Sequence, residues 1–302
     1  MGDTASTNNT ARSSLMVIGA GALWGCISLF VRALNAAGLD PFEISGVRLI
    51  LGAVGMAIVL LIKDRSLFRI RPRDIWMFIG TGVISVTLFN ICYFACISLS
   101  EASVAVVLLY TSPIWVMLMS AIFFRERITA PKLVALAMTF VGCALVAGIA
   151  GGVALTPSAL CVGLVSGIFY ATYSIFGRVA LERYNTMTIT FWTFFMGAIC
   201  ALFISNPAHI AATFVADPKA AAWGLGIGVV CTIIPYLLYT KGLQGLETGR
   251  AAILATVEPL VGAVLGIFLY GESTGMLKIV GMLLILGAVI VLNIPSRDKY
   301  KS

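Results

Sequence analysis

Apolar residues fill this chain in long uninterrupted runs and do not alternate with polar ones. Ten runs can be delimited, at 15–34, 42–62, 75–98, 102–124, 130–149, 158–180, 187–205, 221–243, 250–270 and 276–294, with short polar breaks between them. Their lengths suit a hydrocarbon core of about 30 Å crossed at about 1.5 Å per residue. The two-residue alternation of a membrane barrel is absent. The pattern predicts an all-α integral membrane protein of ten transmembrane helices, preceded by a polar tail (1–14) and followed by a basic tail (295–302).

Composition strengthens this reading. Of 302 residues 60% are apolar and only 11% charged, against roughly 25% charged in a soluble domain. That excludes a soluble enzyme, a disordered tail protein and a nucleic-acid binder. The seven cysteines all lie in apolar stretches, as small buried hydrophobes do, so no disulfide framework is expected. Cys92 and Cys96 share a helix face, but no His or acidic residue completes a metal site, and no cofactor is expected. Gly2-Asp3-Thr4-Ala5-Ser6 fits a myristoylation pattern, redundant in a chain with many spans. The run from Leu15 to Leu34 is too long for a cleaved signal peptide.

The net charge of +7 becomes a record of topology. Sixteen of the 20 Lys and Arg fall on one side of the ten runs, including Lys63, Arg65, Arg69, Arg71 and Arg73. Only Arg32, Lys219 and Lys278 map to the other side, and Arg48 lies inside a run. Positive residues mark cytoplasmic loops, so both termini are expected in the cytoplasm, in a multi-pass protein of the cell membrane of a bacterium.

Comparing the chain with itself at an offset of 146 residues reveals a duplication. Gly21 falls on Gly167, Ser28 on Ser174, Phe30 on Phe176, Arg32 on Arg178 and Tyr93 on Tyr239. Glu101 falls on Glu247, Pro113 on Pro259, Glu126 on Glu272 and Lys132 on Lys278. The repeats are expected at 15–149 and 158–294. Each holds five spans, an odd number, so the second copy must be inverted relative to the first. Inverted repeats recur in secondary transporters, with the site near the midplane between them.

Two charges lie well inside spans, Arg48 and Glu258. Burying either costs at least about 2.5–3.5 kcal/mol, so such groups face a cavity or one another. By helical rise they differ in height by roughly 9 Å, near the reach of two long side chains, which leaves a direct pair open. Glu258 suits recognition of a substrate amine or a proton-coupled step; the rival reading is a structural carboxylate bonded to Thr256. Trp24, Asn90, Tyr93, Tyr110, Tyr170, Trp192 and Tyr236 are polar or amphipathic groups inside spans. Some of them are expected to line a cavity and the others to pack with a satisfied hydrogen bond. Pro113 and Pro259 are expected to bend their helices. Glu126 and Glu272 read as solvated helix-end charges. Gly21/Gly25, Gly163/Gly167, Gly224/Gly228 and Gly262/Gly266 have helix-packing spacing. A homodimer contact through the membrane would use the same faces.

One enzyme motif can be set aside. Gly271-Glu272-Ser273-Thr274-Gly275 fits G-x-S-x-G, but that elbow needs a strand–turn–helix context. The one histidine, His209, lies in a loop. No Walker A motif is present.

These features together resemble the ten-helix EamA-type transporters of the drug/metabolite transporter superfamily. The resemblance covers residues 15–294 and rests on the duplicated five-span unit, Trp24-Gly25, Arg48, and the pairs Pro113…Glu126 and Pro259…Glu272. It implies a carrier of the cytoplasmic membrane, often an exporter of amino acids or related metabolites, with the site between the repeats. The sugar-phosphate and nucleotide-sugar branch resembles this fold too, but typically uses several buried basic residues, and here Arg48 is the one clear candidate. The reading from sequence is therefore a secondary transporter of a small metabolite working by alternating access, without catalytic activity. A non-transporting membrane scaffold is the alternative.

Overall fold

A computed structural model describes residues 2–100, 102–148, 156–271 and 275–293. Within them ten helices are long and apolar enough to cross a membrane. They are α1 (Asn9–Ala36), α2 (Pro41–Lys63), α3 (Pro72–Leu99), α4 (Ala102–Phe124), α5 (Ala130–Ala147), α6 (Pro157–Leu181), α7 (Thr186–Ile204), α8 (Pro218–Leu243), α9 (Thr248–Tyr270) and α10 (Met276–Asn293). No strand occurs among the described residues. Glu101, Glu272, the centre of the G-x-S-x-G motif and the basic tail lie outside them.

Helix ends follow local chemistry. Asp40 opens α2 with a capping box: its carboxylate accepts from Glu43 N–H, while Glu43 accepts from Asp40 N–H, both at 2.9 Å. Pro41 and Pro157 occupy first-turn positions where a missing N–H is harmless. Gly148 and Gly271 end α5 and α9 with left-handed backbone, φ 78° and 63°. At the offset of 146, Gly271 corresponds to Arg125, which ends α4 in the same left-handed conformation at φ 55°.

Two stretches differ from the sequence expectation. The helix leading into α1 already begins at Gly2, so the polar segment read as a tail is helical. Its last turns are supported by α8: a Cβ on Gly242 would stand 2.8 Å from Ser13 O. The region between α7 and α8, read as a loop, contains a short helix, Pro207–Ala216. Asn206 caps it by accepting from His209 N–H, with Pro207 at the first position. His209 then ties it to α2 through Nδ1···Glu43 Oε1, 2.7 Å.

α1 breaks at Cys26 while its equivalent α6 is continuous, but four other spans are interrupted in matching places. α4 breaks at Tyr110-Thr111 and resumes at Ser112; α9 breaks at Thr256 and resumes at Val257. Pro113 and Pro259 sit in the first turn of each resumed half, so they begin a new helical segment where a simple bend was expected. α3 and α8 both contain π-helical turns, Ile79–Leu88 and Val229–Ile233.

The two five-helix units interlock. α1 packs on α8 and α9, and their repeat equivalents α6, α3 and α4 form the matching contacts; α2 pairs with α7, α4 with α9, and α5 with α10. Lipid offers no hydrophobic drive between helices, so close approach of backbones does this work. A Cβ on Gly142 of α5 would stand 2.8 Å from Gly281 O of α10, and one on Gly281 would stand 2.7 Å from Gly142 O. Gly21 likewise lies against Ala255 O at the α9 break. Gly167, its repeat equivalent, lies against the α4 break, where a Cβ would be 2.7 Å from Thr111 Oγ1.

Candidate functional site

The interruptions in α4 and α9 face a central cavity between the units. It has two lobes, and Trp24, Tyr170, Tyr236 and Glu258 belong to the walls of both. Tyr110, Ser112, Tyr173, Ser174, Tyr239 and Thr256 complete much of the first lobe. Arg48, Asn90, Phe89, Phe194 and Thr232 complete much of the second.

Glu258 occupies the first turn of the resumed half of α9. A carboxylate is favoured at that end of a helix, where the backbone N–H groups carry partial positive charge. Gly25 of α1 permits this placement, since a Cβ there would approach Glu258 O to 2.6 Å. Arg48, in the interior of α2, donates from Nε to Thr232 Oγ1 at 3.2 Å. Thr232 in turn donates to Ile227 O at 2.9 Å, an i−5 bond within the π-distorted stretch of α8. Both charged residues are half-buried and line one lobe, and no ion pair links them. Thr256, the neighbour considered for Glu258, donates instead to Ile253 O.

The walls are aromatic. Tyr236 makes edge-on contacts with Trp24, Tyr173 and Phe194 at 5.3, 5.1 and 5.0 Å between ring centres. Tyr170 meets Phe89 at 5.1 Å. Such rings offer large apolar faces with polar rims.

Toward the end of the bundle that carries most Lys and Arg, here termed the basic end, α6 and α8 are joined by side chains. Tyr173 OH and Thr240 Oγ1 are 2.7 Å apart, as are Ser174 Oγ and Tyr239 OH. Arg178 Nη1 donates to Leu243 O at 2.6 Å and to Leu246 O at 3.1 Å, satisfying carbonyls at the end of α8 and in the turn that follows it. At the same end Arg183 and Tyr184 both bind the Asp74 carboxylate, Tyr184 OH donating to Oδ2 at 2.6 Å. Burial and that hydrogen bond push the Tyr184 phenol above its ordinary range.

Of the residues singled out from sequence, Trp24, Arg48, Asn90, Tyr110, Tyr170, Tyr236 and Glu258 come together at the cavity, with Pro113 beside them. Asn90 donates from Nδ2 to Val86 O at 2.8 Å. Trp192 stands elsewhere: its indole donates to Phe68 O at 3.1 Å and packs among Phe78, Phe191 and Phe195. Tyr93 packs against Phe89 and Phe94. Glu126 needs correction. It is no solvated end charge, because its two oxygens accept from Thr248 N–H (2.6 Å) and Gly249 N–H (3.2 Å), capping α9. Lys132 supports the same corner, bonding Glu247 at 2.9 Å.

Ser112, Thr232, Phe89 and Phe194 went unnoticed in the sequence, yet the repeat register marks all but Phe89. Ser112 corresponds to Glu258, Val86 to Thr232, Arg48 to Phe194, Trp24 to Tyr170 and Asn90 to Tyr236, and every member lines the cavity.

Known proteins resemble this chain in sequence and fold. The model of the EamA-like transporter family matches residues 11–148 and again 157–294. An uncharacterized transporter of Archaeoglobus fulgidus is 28% identical over 280 residues, covering 89% of this chain and 92% of its own. An uncharacterized inner membrane transporter of Salmonella typhimurium is 24% identical over 301 residues, 97% of this chain and 99% of its own. A solved crystal structure at 17% identity superposes with a TM-score of 0.80 over 96% of this chain and 99% of its own, which supports the fold. With both halves matched and ten apolar spans in place, the chain is a multi-pass membrane transporter belonging to the EamA-like transporter family.

Proposed function

We propose that this protein is a secondary carrier that exports small zwitterionic metabolites, amino acids among them, across the cytoplasmic membrane by alternating access. One observation carries the substrate class: Arg48 and Glu258 line the same aromatic-walled lobe without pairing with each other. A guanidinium is suited to a carboxylate, a carboxylate to an ammonium, and the rings to an apolar side chain between them. Two unlike charges held apart would be costly in an empty membrane scaffold; a ligand with both charges offsets that cost. A single arginine favours a zwitterion over a sugar phosphate. Export follows from the family resemblance, and the clustering of Lys and Arg supports cytoplasmic termini. Glu258 is the group placed to take up a coupling proton.

Counterflow in proteoliposomes loaded with an amino-acid panel, with hexose phosphates alongside, tests this reading. Saturable counterflow competed by amino acids is the expected result. Preference for the phosphates, non-saturating conductance, or absence of any flux with a co-purifying partner would overturn it.

A further inference from the structure

Of the contacts that join α6 to α8 at the basic end, the Ser174–Tyr239 bond and the Arg178 grip have the same residue types at the equivalent positions of the first repeat, whereas Tyr173–Thr240 does not, Ile27 and Phe94 standing there. At the offset of 146, Ser174 corresponds to Ser28, Tyr239 to Tyr93 and Arg178 to Arg32. These three side chains are identical in the two repeats. The inverted relation of the units places the second set on α1 and α3, toward the opposite end of the bundle.

The two copies are in different states. Ser174 Oγ and Tyr239 OH are bonded at 2.7 Å. Ser28 Oγ is buried and finds no hydrogen-bond partner, and among the described residues no hydrogen bond links α1 to α3. Arg178 grips carbonyls at the end of α8 and in the turn that follows it, whereas the Arg32 guanidinium lies over the Tyr270 ring, 4.0 Å from its centre. The same offset takes Tyr270 to Phe124, a ring able to receive Arg178 in the same way.

We infer that Ser28–Tyr93 and Ser174–Tyr239 are reciprocal latches, each closed only when the other is open. In the state described here, the latch at the basic end is closed. In the alternate state Ser28 bonds Tyr93, Arg32 reaches the carbonyls of Ile97 and Ser100 (equivalent to Leu243 and Leu246), and Ser174 and Tyr239 separate. A buried serine hydroxyl without a partner is costly, and its placement is explained if the partner arrives in the other half of a cycle. This inference rests on the alternating-access part of the proposed function and on no choice of substrate.

Hydrogen–deuterium exchange on the full chain in nanodiscs, without substrate, tests it. Ser174→Ala and Tyr239→Phe should each speed exchange at residues 242–250 and slow it at residues 97–104. About two- to tenfold is expected, the size one lost hydrogen bond carries. Ser28→Ala and Tyr93→Phe should shift exchange in the reverse sense at both ends. Agreement between the Ser and Tyr variants of each latch guards against a folding defect in one of them. Faster exchange confined to the mutated end, or no change at either, would overturn the reciprocal latch. Because no substrate is present, the result stands apart from the counterflow test: latches that exchange without amino-acid transport would refute only the substrate class.

Discussion

Arg48 Nε donates to Thr232 Oγ1 at 3.2 Å, so the half-buried cation of the first repeat is braced by the second repeat and forms no ion pair with Glu258. Two charges that act on separate parts of a substrate, without bonding each other, should have independent effects on binding. Arg48→Ala and Glu258→Gln are each expected to raise the KM of counterflow by about 10-fold or more, as loss of a charge-assisted hydrogen bond does. In the double variant the two penalties should add in free energy to within about 0.5 kcal/mol. A double-mutant cycle on counterflow KM checks this, and a larger coupling energy would mean that the two groups pair during the cycle.

Glu258 is also the carboxylate facing both lobes. Glu258→Gln is expected to abolish the pH dependence of flux while leaving expression and membrane insertion intact. Parallel pH profiles of the variant and the unaltered protein in proteoliposomes check it; an unchanged profile would remove Glu258 from coupling.

Glu126 caps α9 from the end of α4. Truncating it should expose two backbone donors in a partly buried corner. Glu126→Ala is expected to destabilise the protein by about 1–2 kcal/mol, and Glu126→Gln, which keeps one acceptor, by less. Thermal unfolding in detergent should order the three proteins accordingly.

Arg125 and Gly271 end equivalent helices in equivalent left-handed backbone, but only glycine adopts it without strain. Arg125→Gly should therefore stabilise the protein by about 1 kcal/mol. A raised unfolding midpoint is the expected readout, and a lowered one would mean that the exposed arginine makes a compensating contact.

Tyr184 OH donates to Asp74 Oδ2 and accepts from Arg71 N–H at 3.0 Å, tying the start of α3 to the α6–α7 turn. Tyr184→Phe would leave both partners wanting, with an expected loss of about 1–3 kcal/mol. Limited proteolysis of the segment between α2 and α3 should quicken along with it.

Much of the architecture was legible because membrane spans are set by a long-range apolar pattern and the duplication by exact coincidences such as Pro113 with Pro259. The site was legible in part. Trp24, Arg48 and Glu258 stand out as polar groups in apolar runs, but Ser112 and Thr232 are ordinary helix residues whose role depends on the axis relating the repeats. Trp192 was ambiguous for the opposite reason: an indole needs a hydrogen-bond acceptor, and only the fold reveals that Phe68 O supplies it. The helix at Pro207–Ala216 was missed although Asn206-Pro207 is a start signal, since the segment is too short to register as an apolar run. The capping by Glu126 depends on a neighbour 122 residues away, and no local pattern encodes it.

The π-helical turns bear on ancestry. Residues 83–87 of the stretch in α3 correspond, at the same offset of 146, to Val229–Ile233 in α8. Only Val83 and Val229 are identical across those five positions. A helical form this uncommon survives in both copies although its side chains have diverged. Its placement at equivalent positions of both repeats is what a turn already present in a five-helix progenitor would leave. In these two helices the backbone geometry is shared where the side chains are not.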